Sequence, residues 1–134
     1  RVWEGDEAGP APTGRLNVRR LYTLGTPHQG SVLAARITLD QAGRDMVPGS
    51  PFLNYLNSLF HRAEYELVCY THLRDRWVGA TNTAPPGRVP IWTNGTLIFS
   101  HFEVHRNPVF IADIARRLRG EEALLSEGEM PPRD

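Results

Sequence analysis

Asp75 in "RDR" and His101 in "SHF" are a carboxylate and an imidazole that can act on one proton together. A carboxylate that accepts from one imidazole nitrogen holds the ring in a single tautomer and stabilises its charged form. The other nitrogen is then free to take a proton from a nucleophile. An Asp followed later by a His, both on loops at one edge of a sheet, fits that chemistry. Spacing alone does not single the pair out. His105 competes with His101, and Asp75 between Arg74 and Arg76 also reads as half of a surface ion pair.

The other reactive types read more plainly. In "YTLGTPHQGS", residues 22–31, an apolar run breaks on Gly25, Thr26, Pro27 and His28, which suits an active site, the rim of one or only a turn. "HFEVH" offers His101 and His105 one helical turn apart, as in zinc-binding helices. Its Glu103 is third rather than second, and no helix is expected before Asn107, so no metal site is assigned. His61 and His72 read as surface or partly buried residues. Cys69, the single cysteine, lies among apolar neighbours and reads as a buried, inert thiol. No glycine spacing fits a phosphate loop.

The elements that must position these residues alternate. Leu16 to Leu24 is expected as a strand, closed by Gly25-Thr26-Pro27. Residues 31–46 are helix-compatible through Val32, Leu33, Ile37 and Leu39. Ser50 and Pro51 suit the N-cap and first position of a further helix carrying Phe52, Leu53, Leu56 and Leu59-Phe60. Tyr65 to Tyr70 reads as the second strand and Val89 to Trp92 as a short third, with 97–105 irregular between it and the last helix. There Asn107 caps, Pro108 begins, and Gly120 ends the element, with Arg116, Arg117 and Arg119 in its last turn. This is the order of an α/β protein with a mostly parallel sheet, in which functional groups collect beyond the carboxyl ends of the strands.

Bulk properties exclude some classes. Fifteen acidic residues balance fifteen arginines with no lysine, which argues against nucleic acid as a partner. The absence of lysine reads as coding bias. No apolar run approaches the ~18 residues of a membrane span, so no transmembrane segment is expected. No charged-then-apolar signal opens the chain, and a soluble protein is expected with no compartment assigned.

Four segments together resemble the α/β-hydrolase lipases and esterases. "LYTLGTPHQGS" is similar to the strand and turn that follow the nucleophile-bearing helix in that family, and "DMVPGSPFLNYLN" to its cap or lid segment. "YTHLRDRWVGATNTAPPG" resembles the strand presenting the catalytic acid, with Asp75 in that place. "FSHFEVHRNPVFIADIARRL" resembles the terminal loop and helix, with His101 in the place of the catalytic base. Pro108 follows His101 by seven positions, which suits the family's interval and favours His101 over His105. The likeness spans roughly residues 16–119, and the TPH turn with the PGSPF segment is its most specific part.

The family's G-x-S-x-G elbow is missing. Ser31, Ser50, Ser58, Ser100 and Ser126 all lack the flanking glycines, and the HG-type oxyanion segment is also absent. The resemblance therefore implies the C-terminal portion of a partial α/β-hydrolase fold. On this reading 1–15 is a loop or the end of a truncated helix, 16–120 the hydrolase portion with a cap at 31–60, and 121–134 a flexible acidic tail.

The implied function is that of a carboxylic ester hydrolase acting on an ester or lipid, with Asp75 and His101 supporting a serine outside these residues. The implied pocket or rim comprises Thr26, Pro27, His28, Phe52, Leu53 and Leu56, and no cofactor is needed. The alternative is a non-catalytic half-hydrolase, a binding or assembly module. Its exposed sheet edge would then pair with a second copy or with an N-terminal half.

Overall fold

The computed structural model describes residues 17–37, 40–60, 62–96 and 99–132. Three strands, β1 (Arg20–Leu24), β2 (Glu66–His72) and β3 (Ile91–Thr93), form a parallel sheet in the order β1-β2-β3. Arg20 lies opposite Glu66 and Leu24 opposite Tyr70, while Tyr70 and His72 lie opposite Ile91 and Thr93. The fold class expected from the alternation, α/β around a small parallel sheet, is present.

β2 is the middle strand, and Leu67 through His72 are all buried. Its side chains alternate between two cores, as a strand covered on both faces requires. Val68 and Tyr70 pack with Ile91, Val104 and Phe110, while Leu67 and Cys69 pack with Ala84 against Phe60 and Tyr65. The strand runs two residues past the expected end at Tyr70. Thr71 and His72 are polar but buried beside β3, and Leu73 N–H continues the ladder to Thr93 O at 2.9 Å.

The connection from β1 to β2 departs from expectation. Residues 31–37 form turns rather than the start of a helix, because Val32 and Leu33 run beside Trp77 and Val78 and spend their amides there, while Ser31 N–H donates to Met46 O at 2.8 Å. Leu33 N–H donates to Trp77 O at 3.0 Å and Val32 N–H to Val78 O at 3.3 Å. Among the described residues of 31–46, only the short α1 (Gln41–Asp45) is helical, capped by Asp40 Oδ1 accepting from Gly43 N–H. α2 (Pro51–Phe60) begins as the sequence indicates, with Ser50 Oγ accepting from Leu53 N–H at 3.2 Å. Leu39 of the expected helix, and His61, lie outside the described residues.

Part of the stretch expected to be irregular is also ordered as helix. α3 (Ser100–Glu103) passes into a 3₁₀ turn at Val104–Arg106, with Ser100 and Val104 buried. α4 (Pro108–Arg119) has the expected ends. Asn107 Oδ1 accepts from Val109 N–H, and Gly120 closes the helix in the left-handed region at φ 74°.

Residues 121–132, within the segment expected as a flexible acidic tail, are mostly exposed but make several contacts with the rest of the fold. Asp113 is fully buried on α4 and accepts from Leu124 N–H at 2.6 Å and Leu125 N–H at 2.9 Å. It also accepts from Tyr70 Oη at 2.7 Å and Arg117 Nε at 2.8 Å. Trp92 Nε1 donates to Glu129 O, and Pro131 is buried. Arg20 on β1 donates to Arg117 O at the end of α4 and pairs with Glu66 at 2.6 Å. Among the described residues, no helix is long and apolar enough to cross a membrane.

Candidate functional site

Beyond the carboxyl end of β2 the chain turns through Arg74, which adopts a positive φ of 63°, and brings Asp75 inward. Asp75 is 1% exposed, which overturns its reading as a surface ion pair. Its Oδ1 accepts from the backbone N–H groups of Trp77 and Val78, both at 3.0 Å, so the residue closes its own turn. Gly79 N–H adds a bond to Asp75 O at 2.7 Å. One carboxylate oxygen is thereby fixed by the backbone, and Oδ2 is left to accept from another group.

That group is His101 on α3. Its Nδ1 lies 2.9 Å from Asp75 Oδ2, and its side chain is 27% exposed. With Nδ1–H donating to the carboxylate, Nε2 carries the free lone pair, which is the tautomer a general base needs. The bond to Asp75 raises the imidazole's pKa, partial burial opposes the rise, and the nearby negative charge adds to it. His105 sits exposed on the following 3₁₀ turn, so the structure pairs Asp75 with His101 of the two candidates.

α3 is held in place by contacts that do not involve the pair itself. Ser100 Oγ lies within hydrogen-bond reach of Leu73 O, at 2.9 Å, and of Thr96 O. His72 Nδ1 lies 3.1 Å from Ser100 O, and Asn107 Nδ2 lies 2.8 Å from His72 Nε2. Asn107 Nδ2 can only donate, so His72 accepts at Nε2 and donates from Nδ1. His72 is thus a buried link between β2, α3 and the cap of α4, rather than the surface or partly buried residue expected. Gly25, at the end of β1, approaches from the other side. A Cβ there would lie 3.1 Å from Val104 Cγ1 and 3.5 Å from His101 Nδ1.

The residue after Gly25 opens a second feature. Thr26, Pro27, His28, Phe52, Leu53 and Leu56, the six residues expected at a pocket or rim, line one hollow of about 290 Å³ with Met46, Leu59, Phe60 and Tyr65. α2 supplies one wall and the turn after β1 the other. His28 is 8% exposed, with Nε2 3.1 Å from Thr23 Oγ1 and its ring edge-on to Phe60 at 5.4 Å. Burial lowers its pKa to about 4, so it stays neutral near pH 7. Asn57 Nδ2 donates to His28 O at 3.0 Å and ties α2 to the turn.

Cys69 is buried, and burial raises its thiol pKa, which disfavours the thiolate. Among the described residues no group of three or more His, Cys, Asp or Glu is placed to hold a metal ion. Trp77, beside the pair, escaped the sequence reading. Trp77 stacks on His101 at 6.4 Å between ring centroids, and Ser31 Oγ donates to Trp77 O at 2.5 Å. The position of Trp77, two residues past an aspartate that forms a turn, is the sequence signal that was available for it.

Against family models, curated proteins and solved structures alike, the chain finds no match.

Proposed function

We propose that this chain supplies the acid and base of a lipase- or esterase-like carboxylic ester hydrolase whose nucleophilic serine lies outside these 134 residues. The observation that carries the reading is the 2.9 Å contact between His101 Nδ1 and Asp75 Oδ2. The two amides on Oδ1 give the carboxylate one orientation. Asp75 is an orienter, since a carboxylate bonded to Nδ1–H stabilises the imidazolium without taking its proton.

The reaction then runs through His101 Nε2. It removes the serine hydroxyl proton as the oxygen attacks the ester carbonyl. It returns that proton to the departing alcohol as the carbon–oxygen bond breaks and an acyl-serine forms. A water molecule, deprotonated by the same nitrogen, attacks the acyl carbon, and the proton goes back to the serine as the acid leaves. The hollow between α2 and the Thr26–His28 turn would take the apolar part of the ester. Its walls are chiefly Pro27, Phe52, Leu53, Leu56 and Leu59.

A fluorophosphonate probe tests the reading. It is expected to leave the 134 residues unlabelled and to label a version extended at the N-terminus through a G-x-S-x-G segment. Labelling of neither sinks the proposal. β1 lies at the edge of the three-stranded sheet, which favours the second reading, a non-catalytic module that pairs through this strand. A stable, inactive oligomer of the chain, unlabelled even when extended, would support that reading instead.

A further inference from the structure

Trp77 meets three parts of the site at once. Its backbone N–H donates to Asp75 Oδ1. Its ring lies alongside His101 with the planes only 20° apart, and Phe102 meets it edge-on at 5.1 Å. Its carbonyl accepts from Ser31 Oγ and from Leu33 N–H, at the entry to the segment read as a cap.

Core packing does not account for this residue. The side chain is 42% exposed, so it contributes less by burial than a tryptophan turned inward. A single hydrogen bond at Nδ1 leaves an imidazole free to rock about that bond. A flat aromatic face beside the ring restricts that freedom. Phe102 packs edge-on to both rings, at 5.4 Å from His101, and so limits sliding of one over the other.

We infer that Trp77 is a positioning residue for the Asp75–His101 pair, its amide fixing the acid, its indole fixing the base, and its carbonyl tying both to Ser31 and Leu33. The inference rests on the proposed function only for what His101 acts on, because the positioning belongs to these residues alone.

NMR of the His101 ring in the chain itself tests it, with Trp77→Leu, Trp77→Phe and Ser31→Ala. In the unaltered chain the Cε1–H signal is expected upfield of a free imidazole through the indole ring current, with a protected Nδ1–H. Trp77→Leu should abolish the upfield shift and speed Nδ1–H exchange with water at least tenfold. Trp77→Phe should restore part of both. Ser31→Ala, which leaves the Leu33 bond in place, should give a smaller loss.

A folded Trp77→Leu chain with an unchanged Cε1–H shift and unchanged exchange overturns the inference. If that variant does not fold, Trp77→Phe decides: a reduced shift supports the inference and an unaltered one overturns it. These signals are read without any ester. An extended protein that fails to label, alongside the expected NMR changes, counts against the serine reading alone.

Discussion

Asp75 and His101 are joined through a carboxylate whose two oxygens have separate partners: Oδ2 faces His101 Nδ1 at 2.9 Å, and Oδ1 takes two backbone amides. The division makes removal of the charge separable from removal of the turn.

Asp75→Asn keeps the Oδ1 acceptor but loses the charge that favours the imidazolium. The His101 titration midpoint should fall toward the ordinary value, as NMR would show. In an extended protein that carries the serine, ester turnover should drop by roughly 10³–10⁴-fold. The sign for stability follows from the raised imidazole pKa. The pair's contribution is fully present below the unfolded value of about 6.5 and is lost as pH rises through the higher folded value. Urea unfolding should therefore show a larger gap between the parent and Asp75→Asn at pH 6 than at pH 9.

His28 titrates in the opposite sense. Its folded pKa of about 4 lies below the unfolded imidazole value, so the unfolded chain binds the proton first. Stability should fall as pH drops from about 6.5 toward 4, with a total of order 3 kcal/mol from this group. His28→Leu should flatten that part of the profile, measured as the difference in urea midpoints between pH 7 and pH 5. A parallel pair of profiles would contradict the account.

Gly95 sits where a Cβ would run into Ser100 Oγ and Leu73 O, with His72 Cβ 2.9 Å away. Gly95→Ala must push α3 off the end of β2, at a cost of roughly 1–3 kcal/mol or more. His101 rides on α3, so the His101 Nδ1–H signal should weaken together with the thermal midpoint.

Asp113 accepts four hydrogen bonds, from Tyr70, Arg117, Leu124 and Leu125. Burial alone would raise its pKa, but the bonds from Tyr70 and Arg117 and the amides of Leu125 and Leu124 outweigh it and hold the value low. Its contribution is present above the unfolded carboxylate value and is lost as pH falls through the lower folded one. Asp113→Ala breaks a buried ion pair with Arg117 and should cost about 3–5 kcal/mol. Amide exchange at Leu124 and Leu125 should accelerate more than exchange in β2.

The parts legible in the sequence were those that local chemistry decides. Asn107, Pro108 and Gly120 mark the ends of α4 because caps are satisfied within a few residues, and Ser50 with Pro51 marks α2 for the same reason. The six pocket residues came through a family likeness and line one hollow.

What stayed hidden depends on distant partners. Ser31 to Leu33 look helical until the Ser31 hydroxyl and the Leu33 amide meet Trp77, and the Val32 amide meets Val78, 46 residues away for the Ser31–Trp77 pair. His72 reads as a loose polar residue until Asn107 reaches it across 35 positions. A signal for the tail contacts did exist. Asp113 falls on the buried face of α4 three residues after Phe110, with Arg117 four residues further on, and a carboxylate there needs several donors.

The bond from Arg20 to the carbonyl of Arg117 spans 97 positions and joins the first described strand to the last helix. α4 can coil early, since its caps are local. The strand and helix can be latched only after nearly the whole chain has been brought together. The Asp75–His101 contact joins residues 26 positions apart and lies between those two anchors in sequence. Shortening either terminus past its anchor should therefore loosen the opposite end as well.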